Sequence, residues 1–554
     1  MTGPPAPATE PGPVRQVGRG IGRAAVLIGV ITVAARVVGF GRQLAFAHTV
    51  GNTCLGTAYA TGNQVPNIIY DIVLGGALTS AVVPVLAGPV TRRMSAGGEQ
   101  AGTAQAGTTE TSQIASALLT WTVLLLAPIS VLIAVTAGPL VSVLLSGAPG
   151  CPRAAMVAVS TRMLAVFAPQ IVLYGLAVVL YGILQAHHRF TAPALAPVLS
   201  SLVVVGAYVA FVPLGGGYQN RLSTLPWPAE LMLSLGTTAG VAALALTALG
   251  PVLRLRLRLR PALRFPDGVA VRVRGLAAVG IAALIAQDAS VVAVIVLANG
   301  HDGQGGLVLY NYGWQMFFMP YAVLAVPIAT SAFPLLSART GASFDDTAAS
   351  STRAVMLVSW LGAALLAGAA VPASRLFAGH SAASQLALTF AAFAPGLVGY
   401  GLTANLSRVL FACGRSRVAA LGLVGGWLLV IAADVAAVAL VSARWVVPVL
   451  GLGNTVGLTV SGVALLGAVG RARGRAALRG AGRAAVAGLA GAVAGGAAGA
   501  AVSAALPVSG FLRNAGVAVL ACACVAVVFG LAALVLDGGD LRAVAARVRG
   551  RRPR

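Results

Sequence analysis

Apolar runs long enough to cross a lipid bilayer recur along this chain, and they constrain its fold more than any other feature. A transmembrane helix needs about 20 apolar residues, whereas a barrel strand needs about ten with alternating polarity. The runs here are of the first kind. We therefore predict an all-α polytopic membrane protein of fourteen spans. Their approximate bounds are 24–48, 59–88, 114–146, 158–184, 191–213, 230–252, 275–298, 307–337, 354–373, 385–411, 418–440, 445–469, 484–506 and 511–536.

The composition excludes several function classes. Of the 554 residues 58% are hydrophobic and only 9% are charged, whereas a soluble surface needs far more charge. The net charge of +24 alone would allow nucleic-acid binding, but the basic residues are all arginine and cluster between apolar runs. We expect no nucleic-acid partner. Phosphate-binding loops and metal-binding motifs are also missing from the sequence, so we expect neither a cofactor nor a metal site.

The distribution of arginine predicts the orientation of the spans. If the amino terminus is cytoplasmic and the chain changes side at every span, 29 arginines fall inside and six outside. The remaining two, Arg36 and Arg42, lie within the first span. Cytoplasmic loops carry an excess of basic residues. The skew therefore predicts a multi-pass plasma-membrane protein with both termini in the cytoplasm.

Pairs of short, similar segments indicate an internal duplication. "TSAVVPVL" and "TSAFPLL" end the second and eighth spans, and "ILQAHHRFTAPAL" and "VLFACGRSRVAAL" close the fourth and tenth. Equivalent spans six apart predict two six-helix lobes related by a pseudo-twofold axis along the membrane normal, with a site between them. The predicted organisation is a disordered cytoplasmic tail (1–20), an N-lobe (21–253), a basic cytoplasmic linker (254–274), a C-lobe (275–470), a C-terminal helix pair (471–538) and a basic cytoplasmic tail (539–554).

The first span, "ITVAARVVGFGRQLAFAHTV", carries two arginines in an apolar setting. A charge at the centre of a lone membrane helix costs about 2.5 to 3.5 kcal/mol, so each should face a watery cavity or a partner. Arg36 and Arg42 are six positions apart, which on an unbroken helix separates their side chains by a rotation of about 120° around the helix axis. We expect Gly39 and Gly41 to loosen the helix so that both arginines reach one cavity. Two guanidinium groups suit a phosphate or pyrophosphate; alternatively, Arg36 pairs with Asp71 and holds two spans together.

Polar residues in other spans are further candidates. The stretch "NQVPNIIYDIVLGGALTS" predicts an interrupted second span, because Pro66 lacks a backbone donor and Gly75-Gly76 permits bending, and it places Asn67 and Asp71 on one face. This pair either binds substrate or holds helices together. Asp288 in the seventh span either carries a coupling proton or cation or is a protonated, hydrogen-bonded acid, and the same alternatives hold for Asp434.

Three further segments carry predictions. "LRLRLRLR" in the linker alternates as a strand does, but we favour a basic linker that rests on anionic headgroups. The aromatic stretch "YNYGWQMFFMPYAVLAVP" fits either an interfacial belt or a surface that stacks on sugar rings. Cys54 and Cys151 fall in predicted outer loops, where they either form a disulfide on the oxidising side of the membrane or remain free thiols, because sequence does not give the distance between them.

The motifs "ARVVGFGRQLAFA", "VPNIIYDIVLGGALTSAVVPVL" and "GILQAHHRFTAPALAPVL" together resemble the MurJ/MviN family of lipid II flippases in the MOP transporter superfamily. The second motif resembles the actinobacterial members in particular, and "MPYAVLAVPIATSAFPLLS" resembles the family's eighth span. The resemblance covers spans one to twelve, whereas the last two spans match only in hydropathy.

The resemblance implies fourteen helices, two lobes around a central cationic cavity, and a groove for a polyprenyl tail on the last two spans. It implies alternating-access transport of an undecaprenyl-pyrophosphate disaccharide-pentapeptide to the outer leaflet for peptidoglycan synthesis, apparently driven by the membrane potential. Its partners would be this lipid-linked glycan, membrane lipids and cell-wall synthesis proteins. The family's two span-one arginines fall on Arg36 and Arg42, and a span-eight arginine falls on Gln315. Other charged family positions fall on Thr57, Tyr70, Gly75 and Phe318.

The predicted substrate-binding residues are therefore Arg36, Arg42, Asn67, Asp71 and Gln315, with Asp288 as the candidate for ion coupling. The lost family charges leave three alternatives to lipid II transport. The chain could move another polyprenyl-linked glycan, act as a cation-coupled drug exporter of the same superfamily, or serve as a non-transporting scaffold in cell-wall assembly. We predict that Arg36→Ala abolishes complementation of a flippase-depleted strain, whereas Asp288→Asn is milder.

Overall fold

Long apolar helices make up most of the chain. The computed structural model describes residues 13–73, 86, 101–145, 150–255, 257–265, 269–301, 304–507 and 509–548. Within these ranges the secondary structure is helical and includes no strand, as the lengths of the apolar runs predict. Within these ranges, eleven helical stretches, some of them made of two consecutive helices, are long and apolar enough to cross a membrane, or twelve if one bent pair forms a single span. The chain is therefore a multi-pass membrane protein, and the total of fourteen spans stays a prediction.

The helices before the linker pack mainly on one another. They are α1 (Pro13–Thr49), α2 (Cys54–Asp71), α3 (Ala101–Val135), α4 (Ala137–Leu144), α5 (Arg153–Phe167), α6 (Gln170–Ala186), α7 (Thr191–Gly215) and α8 (Trp227–Leu253). In this group α8 lies against α6 and α7, α1 lies along α7, and α2 lies along α5. We call it the N-lobe. Its first helix begins at Pro13, inside the segment predicted to be a disordered tail.

The helices after the linker form a second group and a terminal pair. They are α9 (Val269–His301), α10 (Gly306–Pro320), α11 (Val326–Ala338), α12 (Gly341–Gly368), α13 (Ala370–Phe377), α14 (His380–Phe393), α15 (Gly396–Ala412), α16 (Ser416–Val438), α17 (Val446–Arg473), α18 (Ala481–Ala505) and α19 (Phe511–Val548). Helix α17 packs on α14, α15 and α16, and α9 packs on α16. Helices α18 and α19 pack on each other and on α12, so the terminal pair is attached to the C-lobe.

Prolines bend some spans but leave others straight. The tenth span bends by 40° between α14 and α15, where Pro395 lacks a backbone donor. A π-helical turn over Tyr321–Ala325 joins α10 to α11 after Pro320. The predicted interruption at Pro66 is wrong, because α2 runs through it to Asp71; membrane helices tolerate proline where their surroundings satisfy the freed backbone groups. The end of the second span, with Gly75 and "TSAVVPVL" up to residue 85, lies outside the described residues.

The alternating linker is neither strand nor helix where the structure describes it. Leu255, Leu257 and Leu259 face inward and pack beside α3 and the end of α8, whereas Arg258 and Arg260 are exposed. The linker backbone is also held to α3, because the N–H of residue 260 donates to Ser116 Oγ over 3.1 Å. The alternation therefore separates a buried leucine face from an exposed arginine face. The predicted contact of these arginines with anionic headgroups stays a prediction.

The structure decides between the two alternatives for Cys54 and Cys151 in favour of the disulfide. Cys54 at the start of α2 and Cys151 just before α5 are bonded, with their Cα atoms 5.8 Å apart. Because the bond joins two loops that the sequence places outside the membrane, it agrees with an oxidising environment on that side. The same bond fixes α2 against α5 at one end of the N-lobe.

Candidate functional site

A cavity of about 540 Å³ lies where the N-lobe meets α10 of the C-lobe. This volume is within the range of small-molecule sites, roughly 300–1,000 Å³. We call it the central cavity, and its walls come from α1, α2, α6, α7, α8 and α10. The polar residues that line it are Arg42, Gln43, Asn63, Gln64, Asn67, Asp71, Ser200, Ser201, Thr237, Asn311 and Gln315, together with Tyr59, Tyr70, Tyr174, Tyr208 and Tyr312.

The structure brings together four of the six candidate residues from the sequence. Arg42, Asn67, Asp71 and Gln315 line the central cavity, whereas Arg36 and Asp288 are not among its lining residues. Arg42 and Asp71 are the only arginine and the only carboxylate among the lining residues in the described part of the chain. Among the described residues, the cationic cavity that the resemblance implies therefore carries one arginine and one carboxylate within a surface of amides, phenols and hydroxyls, as the loss of charged family positions suggests.

Arg42 lies on an uninterrupted helix, one turn beyond Gly39, which also lines the central cavity. The side chain is half-buried. Within the described residues its guanidinium forms neither a hydrogen bond nor an ion pair, so its donors are available to a ligand. A planar guanidinium can bind a phosphate through two parallel hydrogen bonds. Arg42 is thus the residue of the central cavity best suited to an anionic group.

Arg36 lies on a different face of α1. Its guanidinium carbon sits 5.5 Å from the centre of the Phe318 ring of α10, and the residue is exposed. The prediction that both arginines reach one cavity is wrong, because α1 stays helical through Gly39 and Gly41 and keeps the rotation of about 120° between them. Phe318 is one of the positions where the resemblance places a charged residue, and here its ring makes a cation–π contact with Arg36.

Asn67 and Asp71 share one face of α2, as their spacing predicts, and both line the central cavity. The Tyr174 hydroxyl donates to Asn67 Oδ1 over 3.1 Å, and the Tyr174 ring stacks on Tyr70 with centroids 4.2 Å apart. These contacts fix the amide on the cavity wall. The alternative in which Arg36 pairs with Asp71 is wrong, since no ion pair joins these two described residues.

Tyrosines of the N-lobe form a part of the site that the sequence reasoning missed. The Tyr59 hydroxyl lies 2.9 Å from the Tyr208 hydroxyl and 2.7 Å from Thr237 Oγ1. Together with Tyr174 they make a wall of rings and hydroxyls next to Arg42. A polar group inside an apolar span is costly unless it is satisfied by a partner or a cavity. The same rule, applied to hydroxyls and amides as well as charges, would have identified these residues.

Hydrogen bonds between the lobes close the end of the central cavity that faces the disulfide. The backbone N–H of Gly305, just before α10, donates to Thr57 Oγ1 of α2 over 3.0 Å. Asn299 of α9 donates from Nδ2 to Thr61 Oγ1 and to the Leu144 carbonyl, each over 3.0 Å. Thr57 stands where the resemblance places an aspartate, so here a hydroxyl takes part in this closure.

Two aspartates lie buried in the C-lobe. Asp288 of α9 is 3% exposed and Asp434 of α16 is 0% exposed. The carboxylate oxygens of both lack a hydrogen-bond partner in the described part of the molecule. The hydrogen-bonded acid considered for these two positions is therefore not found, which leaves their oxygens as acceptors for a proton or a cation.

The aromatic stretch of α10 is mainly a packing surface. Tyr310 and Tyr312 are buried, and the Trp314 ring lies 5.3 Å from Phe317 and 6.2 Å from Tyr400, centroid to centroid. An interfacial belt would be exposed at the bilayer surface, so that interpretation is wrong for Tyr310 and Tyr312. Tyr312 and Trp314 also line the central cavity, and stacking on a sugar ring there stays a prediction.

A family model described as "Lipid II flippase MurJ" matches residues 46–506 of this chain. A protein of Burkholderia cenocepacia named "Lipid II flippase MurJ" is 25% identical over 323 residues, a stretch that spans 57% of this chain and 57% of that protein. The matched stretch thus covers little more than half of that relative's length.

Solved structures share the fold at low sequence identity. One described as "Lipid II flippase MurJ, inward closed conformation" has a TM-score of 0.67 at 15% identity, over 91% of this chain and 98% of the other. An inward-facing multidrug resistance MATE family transporter of the MOP superfamily has a TM-score of 0.62 at 12% identity, over 80% of this chain and 98% of the other.

Proposed function

This chain belongs to the lipid II flippase MurJ family, and on that premise we propose that it moves a polyprenyl-pyrophosphate-linked glycan, lipid II, from the inner to the outer leaflet. The observation that carries the proposal is the guanidinium of Arg42, which has no partner among the described residues and lies in a cavity between the lobes. In this proposal Arg42 holds the pyrophosphate. The amides of Asn67 and Gln315 bind sugar or peptide groups, and Asp71 accepts hydrogen bonds from hydroxyl or amide donors.

The closed outer end of the central cavity fits the first half of an alternating-access cycle. With Asn299 and Gly305 bonded to the N-lobe, the headgroup would enter from the inner side, and release would require these bonds to break. Opening at one end with closure at the other is how repeat-based transporters move a substrate past a fixed site. Arg36 lies on the exposed flank of α1 beside Phe318, where it would meet a headgroup that enters between α1 and α10.

The terminal helix pair would hold the polyprenyl tail. An entirely apolar depression of about 450 Å³ lies on α19, lined by Val528, Leu531, Ala532, Val535 and Leu536. The pair packs on α12 at the edge of the C-lobe, so the tail could stay in a lipid-like environment while the headgroup crosses. We propose the plasma membrane as the location, with both termini cytoplasmic, and cell-wall synthesis proteins as partners.

The experiment that tests this function replaces Arg42. Arg42→Gln keeps most of the side-chain volume but removes charge-assisted hydrogen bonds. These are worth about 1.5 to 3 kcal/mol, so transport should slow roughly ten- to a hundredfold. Arg42→Lys should retain intermediate activity, because it keeps the charge but loses the fork geometry. Complementation of a flippase-depleted strain and the accessibility of lipid II at the outer leaflet would be measured together.

The control is Arg444→Gln, an exposed arginine next to Trp445 that does not line the central cavity, and we expect wild-type transport from it. If Arg42→Gln supported growth and exposed lipid II at the wild-type rate, the flippase proposal would be wrong. Growth without lipid II exposure would instead indicate the scaffold alternative.

We also propose that Asp288 couples transport to a proton or a cation. The support is a buried carboxylate whose two oxygens have no partner among the described residues. Asp288→Asn should slow transport less than Arg42→Gln and make the rate independent of the ion gradient. A rate in proteoliposomes that still follows an imposed proton or sodium gradient after Asp288→Asn would contradict this assignment.

A further inference from the structure

A second cavity, of about 330 Å³, lies where three parts of the molecule meet. It is bounded by the end of α1, the end of α13 and the beginning of α19, which belong to the N-lobe, the C-lobe and the terminal pair. We call it the outer pocket, because the predicted orientation places all three helix ends on the outer side. It shares no lining residue with the central cavity.

The outer pocket is positively charged. Arg375 is exposed, and its guanidinium forms no hydrogen bond or ion pair with any residue that the structure describes. Nδ1 of His48 lies 2.9 Å from the Leu44 carbonyl, and the ring packs edge-on against Phe511 with centroids 5.6 Å apart. The described lining includes no carboxylate. The pocket therefore favours an anion.

Backbone N–H groups add to the preference of the outer pocket for an anion. Helix α19 begins at Phe511, after Gly510 in the left-handed region at φ 94°, and its first N–H groups lie beside the pocket. The start of a long helix carries partial positive charge and unpaired donors that suit a phosphate. The N-terminal end of α14 follows Gly379, another lining residue. Two helix N-termini and Arg375 thus border one small volume.

A buried amide indicates what accompanies the anion. Asn514 is 5% exposed and lines the pocket. Its Nδ2 donates to the Gly510 carbonyl over 2.9 Å, whereas Oδ1 has no partner among the described residues. A buried acceptor without a donor costs free energy, so a ligand that supplies a hydroxyl or ammonium next to its anionic group would complete the site.

We propose that the outer pocket binds the phosphate ester of a lipid headgroup in the outer leaflet. Arg375 and the start of α19 hold the phosphate, and Asn514 Oδ1 accepts a hydrogen bond from a hydroxyl or ammonium next to it. Two ligands have this chemistry. One is a phospholipid resident in the outer leaflet whose headgroup carries such a donor, and the other is a headgroup that the proposed transport has just delivered. Only the second source rests on the proposed function.

Photo-cross-linking from the rim of the pocket tests the proposal. Leu512→p-benzoylphenylalanine places the probe on a residue that is 83% exposed and does not line the pocket. The full-length protein would be put in nanodiscs of phosphatidylcholine with a minor fraction of phosphatidylglycerol. Phosphatidylglycerol has a hydroxyl donor that phosphatidylcholine lacks, so it should be enriched in the captured lipid. Arg375→Gln should reduce that enrichment roughly tenfold, whereas Arg375→Lys should retain most of it.

The matched control is Arg444→Gln, which removes an arginine from another predicted outer loop and should leave the enrichment unchanged. Lipid II added at the same fraction as phosphatidylglycerol distinguishes the two ligands. Preferential capture of lipid II indicates the delivered headgroup, and preferential capture of phosphatidylglycerol indicates a resident lipid. Capture in proportion to bulk composition, or equal enrichment with Arg375 and with Arg375→Gln, would overturn the proposal. Because Arg42 is intact in every variant, loss of the outer pocket and failure of flipping remain distinguishable.

Discussion

At the scale of single residues, this protein accommodates charged side chains on its helices in two ways. Glu230 of α8 is buried, and Arg162 of α5 binds it at two points, Nε to Oε1 over 2.9 Å and Nη2 to Oε2 over 2.7 Å. Arg42 and Asp288 have no such partner among the described residues. A buried charge that is paired can serve structure, whereas an unpaired one is tolerated when a ligand or ion completes it. The unpaired residues are therefore the functional candidates.

The paired carboxylate allows a stability prediction. Arg162→Gln should destabilise the protein by roughly 2 kcal/mol, because Glu230 stays buried without its charged partner; the half-exposed position of Arg162 keeps the loss below that of a fully buried pair. Thermal unfolding in detergent would measure it as a lower Tm. The double variant Arg162→Gln with Glu230→Gln should recover most of the loss. Equal Tm values for the double and the single variant would contradict this explanation.

At the scale of elements, small residues set how closely the terminal pair approaches the C-lobe. A Cβ atom at Gly499 of α18 would lie 3.0 Å from the Gly368 Cα and 2.5 Å from a Val525 methyl group. Ser503, one turn later, donates to the Gly368 carbonyl over 3.2 Å. Membrane helices associate through such close backbone contacts, because lipid provides no hydrophobic force between them. The attachment of α18 and α19 to α12 therefore depends on glycine.

The same helix offers a matched pair of substitutions. Gly499→Val should destabilise the packing of α18 on α12 and α19 by about 1 to 3 kcal/mol, the usual cost of overpacking. Gly496→Val should be close to neutral, because a Cβ at Gly496 would meet no atom within 4 Å. The Tm in detergent and protease resistance of the segment between α18 and α19 would both report the difference. Equal effects of the two variants would show that close approach is not what holds the pair.

At the scale of the whole molecule, several of the bonds described above lie at the same end. The disulfide between Cys54 and Cys151, the hydrogen bonds of Asn299 and the bond from Gly305 to Thr57 all lie at the end that the arginine distribution places outside. A transporter closed on the outer side presents its site to the inner leaflet. The outer-side closure and the proposed direction of transport are therefore consistent.

Thiol labelling tests this orientation. In a background with Cys522→Ala and Cys524→Ala, a membrane-impermeant maleimide should label intact cells only after reduction, when Cys151 becomes free. Cys413, a free thiol in a predicted inner loop, should react only after the cells are permeabilised. Labelling of Cys413 in intact cells would show that the predicted topology is inverted. Labelling of Cys151 without reductant would exclude the disulfide.

The sequence by itself determined the fold class, the family and much of the central site. The length of an apolar run and the number of arginines in the adjoining loop are local properties, and each segment's position in the bilayer depends on its own values. The helices could therefore be predicted without knowledge of their neighbours. The same local logic identified Arg42, Asn67 and Asp71 as polar residues that need a cavity. Motif similarity led to the flippase family, which the family match confirms.

Only the tertiary structure decided which of these residues meet. Helix rotation separates Arg36 from Arg42 and places one on Phe318 and the other in the central cavity. Packing against α3 explains the leucines of the linker, which alternation alone could not distinguish from a strand. The outer pocket joins Arg375 to Asn514 across 139 positions of sequence. Which polar groups share a cavity depends on helix orientation and long-range packing, and no local pattern of apolar residues carries that information.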